Sequence, residues 1–130
     1  MELPVKFVER MSRELGPSEA DALCKALGSE PSTSVRLNPF KMSSGKWKGQ
    51  RIGWSNYGYM LTERPSFTLD PAFHAGAYYV QEASSQFAGY IMASAVGGKQ
   101  ACRGLRVLDM CAAPGGKSTH YASLVGESGL

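Results

Sequence analysis

The fold of this chain is decided by the segment Arg106-Val-Leu-Asp-Met-Cys-Ala-Ala-Pro-Gly-Gly-Lys-Ser-Thr-His120. Within it, Val107 and Leu108 form a short apolar run that predicts a strand, with Asp109 at its end. The glycines that follow allow a tight turn, and apolar residues from Lys117 to Val125 recur at helical spacing. The segment therefore predicts a strand, a loop and a helix whose first free amide groups would face an anionic group.

Two classes of ligand compete for this loop. A phosphate-binding P-loop has two glycines separated by four residues and followed by Lys and then Ser or Thr. Gly116, Lys117 and Ser118 match its second half, but Cys111 stands at the first glycine position and Pro114 removes a backbone N–H from the cradle. The other class is a nucleoside pocket of Rossmann type, for a ligand that carries a carboxylate instead of a pyrophosphate. S-adenosylmethionine fits that description.

Three segments of the chain together resemble one known family. They are Asp109-Met-Cys-Ala-Ala-Pro-Gly-Gly-Lys117, Phe73-His-Ala-Gly-Ala-Tyr-Tyr-Val-Gln-Glu-Ala-Ser-Ser85 and Thr33-Ser-Val-Arg-Leu-Asn-Pro39. The first resembles the first cofactor motif of the RNA cytosine-C5 methyltransferases of the NOL1/NOP2/sun type. The second resembles the segment that leads into the catalytic domain of that family, and the third resembles its N-terminal strand. The chain as a whole resembles an N-terminal fragment of such an enzyme.

The resemblance implies an α/β fold in two parts. Residues 1–72 would form a small mixed α+β N-terminal lobe, and residues 73–130 would start a Rossmann-like methyltransferase domain, truncated after its first β-α unit. Periodicity predicts the individual elements, with a capping box at the start of the second helix. The predicted helices are Glu2–Leu15, Ser18–Leu27 and Gln81–Val96, and the predicted strands are Thr33–Leu37, Gly53–Trp54, Tyr57–Leu61 and Ser66–Leu69.

The resemblance also implies S-adenosyl-L-methionine as the cofactor. Its binding residues would be Cys111, Ala112, Ala113, Pro114, Gly115, Gly116 and Lys117. Lys117 would pair either with the methionine carboxylate or with a nearby acid such as Asp109. The start of the preceding helix is polar, and its side chains would either cap that helix or line the mouth of the cofactor or RNA site. These residues are Gln81, Glu82, Ser84 and Ser85.

The chemistry of the family needs cysteines that this sequence does not contain. In the family, a cysteine thiolate adds to C6 of cytosine, and C5 then attacks the sulfonium methyl group. The nucleophile lies in a Thr-Cys segment and an assisting cysteine in a Pro-Cys segment, and neither pair occurs here. Cys111 resembles the cysteine of the cofactor motif, which is not the nucleophile. We therefore predict no catalytic residue, and we expect the 130-residue chain alone to be inactive and to bind the cofactor only weakly, because half of the pocket would be absent.

The implied substrate is RNA, ribosomal rather than transfer RNA, and the implied full-length enzyme is a monomer. The strand Thr33–Leu37 alternates so that Val35 and Leu37 would point inward and Arg36 outward. Basic residues between Lys41 and Arg51 are typical of a loop that touches a phosphate backbone, and equally of a solvated hairpin. The candidates for RNA contact are Arg36, Lys46, Lys48 and Arg51.

Composition predicts a cytoplasmic protein without a membrane segment. Hydrophobic residues make up 43% and charged residues 19% of the chain, and no apolar run approaches the length that crosses a bilayer. The three cysteines form no C-x-x-C pair, so neither a metal site nor a disulfide framework is predicted. The net charge of +3 permits an RNA partner without arguing for one. Two other classes stay open: a freestanding RNA-binding module without catalysis, and a nucleotide-binding protein with a degenerate P-loop.

Overall fold

The computed structural model describes residues 3–42, 47 and 49–130. Its internal contacts divide the chain into two compact units, Met1–Ser32 and Thr33–Leu130. The predicted boundary between residues 72 and 73 stays a prediction, although strand pairing within the second unit runs across it.

The first unit is the helical hairpin that the sequence predicts. Helix α1 covers Val5–Leu15 and helix α2 covers Pro17–Gly28. Gly16 joins them with a φ of 85°, a left-handed conformation that glycine adopts without strain. The predicted capping box is wrong, because α2 begins one residue earlier with Pro17 in its first turn and makes no side-chain cap hydrogen bond.

The second unit is built on a four-stranded antiparallel sheet. Its strands are β1 (Thr33–Leu37), β2 (Gln50–Arg51), β3 (Gly58–Leu61) and β4 (Tyr78–Val80), in the order β2-β3-β1-β4. Strand β1 is central, and its Val35 lies opposite Tyr59 of β3 and Val80 of β4. The hydrophobic core gathers around this strand and contains Val35, Leu37, Tyr59, Phe67, Ala77 and Tyr78.

Three α-helices complete the second unit: α3 (Pro71–His74), α4 (Ala83–Ala95) and α5 (Gly116–Val125). Helices α4 and α5 pack against each other at Gly89, where the buried ring of His120 takes the space that a side chain would need. The predicted helix Gln81–Val96 is confirmed as α4, with both ends shorter. None of the helices in the described part of the chain combines the length and the apolar character needed to cross a bilayer.

Two of the predicted short strands are wrong. Phe67–Leu69 forms a 3₁₀ helix, in which the Leu69 amide donates to the Ser66 carbonyl and the Phe67 side chain enters the core. Gly53–Trp54 lies in the turn that joins β2 to β3, where the Ser55 amide donates to the Ile52 carbonyl. Both segments are only a few residues long, so periodicity could not separate a strand from a turn that carries an aromatic residue.

The predicted strand at Val107–Leu108 is also wrong within the described residues. The segment is not paired with any strand of the sheet. Its backbone contact is with Leu130: the Val107 amide donates to the Leu130 carbonyl at 2.6 Å, and the Leu130 amide donates to the Leu105 carbonyl at 3.0 Å. A strand requires a neighbouring ladder, and Leu108 is 85% exposed without one.

Candidate functional site

A cavity of about 260 Å³ lies between the start of α4 and the loop that precedes α5. Residues 79–82 and Ser85 line one side, and residues 111–114, 116 and 117 line the other. Six of the seven predicted cofactor residues therefore face one cavity, and only Gly115 is outside its lining. Three of the four polar residues predicted at its mouth line it as well, whereas Ser84 does not.

Asp109 holds the two ends of this loop together. One carboxylate oxygen accepts a hydrogen bond from the Cys111 amide at 3.0 Å, and the other accepts one from the Ser118 hydroxyl at 2.6 Å. The hydrogen bond from Ser118, followed by that from Cys111, holds the pKa of Asp109 below its ordinary value. The carboxylate is therefore ionised at neutral pH, and both of its oxygens already accept hydrogen bonds from the loop and α5.

Two glycines let the loop turn into α5. Gly115 has a φ of 103°, in the left-handed region where a side chain would be strained. Gly116 lies against the opposite wall of the cavity, since a Cβ atom there would be 3.3 Å from Nε2 of Gln81 and 3.7 Å from the ring of Tyr79. The first glycine therefore serves the turn, and the second serves a close approach between the loop and β4.

Lys117 and Glu82 bring opposite charges to the same cavity. They lie on its two sides, Lys117 in the first turn of α5 and Glu82 just before α4, and both are exposed. Lys117 makes no direct ion pair with Asp109, since the ion pairs within 4 Å in the described ranges are Arg10–Glu14 and Lys25–Asp21, although its charge adds a smaller contribution to the lowered pKa of Asp109. The Lys117 ammonium group is thus available to a ligand, as are the amide groups of the first turn of α5.

Arg36 reaches the loop from the centre of the sheet. Its Nε donates to Oε1 of Gln81 at 2.8 Å, and its Nη2 donates to the Thr119 hydroxyl at 2.7 Å and to the Gly116 carbonyl at 3.3 Å. Gln81 itself donates from Nε2 to the same Gly116 carbonyl at 3.0 Å. Four residues from three separate segments thus form one hydrogen-bonded cluster, Arg36, Gln81, Gly116 and Thr119.

The predicted outward orientation of Arg36 is wrong. Only 3% of the residue is exposed, because both faces of β1 are covered and all five of its residues are buried. Burial lowers the pKa of its guanidinium to about 10, which leaves it charged at neutral pH. The guanidinium has no exposed face to offer an RNA phosphate, and its described hydrogen bonds go to the protein.

The remaining candidates for RNA contact stay predictions. Arg51 is exposed on β2, donates to the Asn56 carbonyl at 2.8 Å and lies over the ring of Tyr59. Lys46 and Lys48 fall outside the described residues.

Sequence reasoning missed the roles of Arg36, Gln86 and Thr119. Gln86 is fully buried and donates from Nε2 to the carbonyls of Gln81 and Val35. For Gln86 the available signal was a polar residue in a largely apolar helix, whereas Arg36 gave none, because the alternation in its strand assigns it to the polar side. Such a signal indicates that a polar side chain is buried, but it does not identify its hydrogen-bond partner.

Comparison with known proteins places these features in a family. The family model described as the N-terminal domain of 16S rRNA methyltransferase RsmF matches residues 3–83. The chain belongs to this family. The matched residues of the RsmF N-terminal domain family include the sheet, with Arg36 in β1, and they end at the start of α4.

The relatives of this RsmF-type chain are much longer than it is. A probable ribosomal RNA small subunit methyltransferase B of Synechocystis is 28% identical over 97% of this chain and 29% of its own length. A ribosomal RNA small subunit methyltransferase F of Erwinia tasmaniensis is 32% identical over 97% of this chain and 28% of its own length. The chain therefore spans less than a third of either relative.

A solved structure shares the fold of this RsmF-type chain. It is a methyltransferase homolog protein from Pyrococcus horikoshii, which superposes with a TM-score of 0.65 at 26% sequence identity. The match covers 95% of this chain and 45% of that protein. The predicted mixed α/β fold class is confirmed by this match.

Proposed function

We propose that this chain is the N-terminal part of an S-adenosylmethionine-dependent methyltransferase that acts on cytosine C5 of ribosomal RNA. The names of its relatives support methyl transfer to the RNA of the small ribosomal subunit. The observation that carries the choice of cofactor is the pair of opposite charges in the loop cavity, Lys117 and Glu82. A cation facing an anion is complementary to the zwitterionic methionine end of S-adenosylmethionine and not to a triphosphate.

Each loop residue has a part in this proposal. Lys117 and the first-turn amides of α5 would bind the methionine carboxylate, and Glu82 would bind the α-ammonium group. Residues 111–116 would supply backbone close to the nucleoside, with Gly116 allowing the approach. When bound, the cofactor supplies an electrophilic methyl group. Asp109 takes part indirectly, because its hydrogen bonds to Cys111 and Ser118 keep the loop closed.

The chain provides RNA contacts rather than the nucleophile in this proposal. Arg51 and the neighbouring lysines Lys46 and Lys48 would meet the phosphate backbone. Arg36 is removed from that set because it is buried. A monomeric enzyme in the cytoplasm is the state in which we expect it to meet ribosomal RNA.

Calorimetric titration of the 130-residue chain tests the cofactor assignment. We expect heat from S-adenosylmethionine and none from ATP. Lys117→Gln and Glu82→Gln should each weaken cofactor binding by roughly tenfold, because each removes one charge-assisted hydrogen bond. Lys25→Gln in α2 removes the same charge from an exposed ion pair and should leave the affinity unchanged.

The rival assignments have their own outcomes in this experiment. Binding of ATP without binding of S-adenosylmethionine would support the degenerate P-loop. If neither ligand binds and the chain nevertheless binds RNA with a steep dependence on salt, the freestanding RNA-binding module would be supported.

A further inference from the structure

Arg36 is a buried cation that has no carboxylate partner among the residues the structure describes. No Asp or Glu in the described ranges lies within 4 Å of its guanidinium, and its described acceptors are a side-chain amide, a hydroxyl and a backbone carbonyl. Burying an arginine is costly, and an apolar residue of similar volume at such a position often leaves a fold equally stable or more stable. The fold therefore does not explain why a guanidinium stands at the centre of β1.

The acceptors of Arg36 explain its presence better. Two of them, the Gly116 carbonyl and the Thr119 hydroxyl, belong to the first turn of α5. Thr119 in turn donates from its hydroxyl to the Gly115 carbonyl at 2.7 Å. The guanidinium thus fixes the point where the loop becomes a helix, and the planar fork of an arginine lets Nε donate to Gln81 while Nη2 donates to both of these groups.

Neither Arg36 nor Thr119 lines the loop cavity. Gln81 lines it and shares the Gly116 carbonyl with Arg36. An effect of Arg36 or Thr119 on a ligand in that cavity must consequently pass through the position of the loop or through the field of the guanidinium.

We propose that Arg36 is a positioning residue for the cofactor loop, which it holds against the sheet through Gly116 and Thr119. This inference rests on the proposed function, since it assumes that the loop binds S-adenosylmethionine. The sheet of the RsmF-type N-terminal region thereby shapes the cofactor site through Arg36. This role is separate from any contact that the sheet makes with RNA. The loop is held in its binding conformation before the ligand arrives, so binding loses less conformational entropy.

Matched variants at Thr119 test this role. Thr119→Val keeps the shape of the side chain but removes the acceptor for Arg36 and the donor to Gly115. Thr119→Ser keeps both hydrogen-bonding groups. We expect Thr119→Val to weaken binding of S-adenosylmethionine by roughly fivefold to fiftyfold, and Thr119→Ser to stay within about twofold of the parent chain.

Variants at Arg36 separate the hydrogen bonds from the charge. Arg36→Met keeps the bulk and removes both, and Arg36→Lys keeps the charge but lacks the fork whose Nε reaches Gln81 while Nη2 reaches the first turn of α5. We expect both to weaken cofactor binding by roughly tenfold or more. If Arg36→Lys instead binds as tightly as the parent chain, the positioning role is overturned in favour of a purely electrostatic one.

Tyr78→Phe is the control for general destabilisation. The Tyr78 hydroxyl donates to a carboxylate oxygen of Asp70 at 2.6 Å, and neither residue belongs to the cluster around Arg36 or lines the loop cavity, so its loss should lower stability without touching that cluster. We expect its cofactor affinity to match that of the parent chain. The proposal is overturned if Arg36→Met and Thr119→Val lose no more affinity than Tyr78→Phe at an equal loss of stability.

Amide hydrogen exchange without any ligand keeps this test separate from the proposed function. Arg36→Met and Thr119→Val should speed exchange selectively at Thr119, whose amide donates to the Gly115 carbonyl at 2.9 Å, whereas Tyr78→Phe should not. A parent chain that binds no S-adenosylmethionine would refute the proposed function. Selective exchange would still support the role of Arg36 in holding the loop. Exchange that rises uniformly along α5, or not at all, would refute the positioning role of Arg36. Should Arg36→Met fail to fold, Thr119→Val carries the test alone.

Discussion

His120 is a buried histidine without a full set of hydrogen bonds. Only 3% of it is exposed, and its Nδ1 atom has no hydrogen-bond partner in the described part of the structure. Burial, and to a lesser extent the charge of Arg36, lower the pKa of His120 from 6.5 to about 4. The ring is therefore neutral at pH 7 and packs as an apolar side chain against Gly89.

Acid should destabilise the chain through this residue. Because the folded pKa is lower than the unfolded one, the unfolded state takes up the proton first, so stability is complete above pH 6.5 and falls as the pH drops toward 4. The expected loss between pH 7 and pH 4 is about 3 kcal/mol. Urea unfolding at both pH values measures it, with His120→Leu as the variant that cannot titrate there. An equal pH dependence in the two proteins would refute this assignment.

Residues that act within one segment were predictable, and residues that act across segments were not. The loop 111–117 could be predicted because its glycines, proline and lysine are contiguous. Arg36 is separated from its partner Gln81 by 45 positions and from Thr119 by 83. The alternation of polar and apolar residues predicted an outward orientation for Arg36, because it assumes that one face of the strand is exposed to solvent. Both faces of β1 are covered.

At the scale of elements, the packing of α4 on α5 depends on Gly89, which has no side chain. A Cβ atom at Gly89 would collide with the His120 ring. We expect Gly89→Ala to destabilise the chain by roughly 1–3 kcal/mol, because overpacking forces two helices apart. Chemical denaturation measures the change. Gly28→Ala at the end of α2 is the matched control, since a Cβ atom there meets nothing within 4 Å.

A double variant identifies the collision as the cause. Gly89→Ala combined with His120→Ala should cost less than the sum of the two single changes, because the smaller side chain makes room. Strict additivity would show that Gly89 is needed for another reason.

Long elements were predicted more reliably than short ones. The two helices of the hairpin and α4 follow from apolar spacing over more than ten residues each. Ser66–Leu69 and Gly53–Trp54 are too short to carry a period. Val107–Leu108 failed for a different reason, because a strand depends on a neighbour that its own sequence does not specify.

At the scale of the whole molecule, the loop cavity and the cluster around Arg36 lie within the unit Thr33–Leu130. The sheet, α4 and α5 of this unit supply the walls of the cavity and the residues that hold the loop. No Thr-Cys or Pro-Cys pair occurs in the 130 residues. The proposal is therefore best tested on this chain through cofactor binding rather than through methyl transfer.

Mapping amide chemical shifts of the isotope-labelled chain during addition of S-adenosylmethionine tests the central claim most directly. We expect saturable shifts that are largest at residues 111–113, 115–117 and 81–85, with the helices Val5–Leu15 and Pro17–Gly28 unchanged. Saturable shifts centred on any other region, or no shifts at millimolar cofactor, would contradict the account.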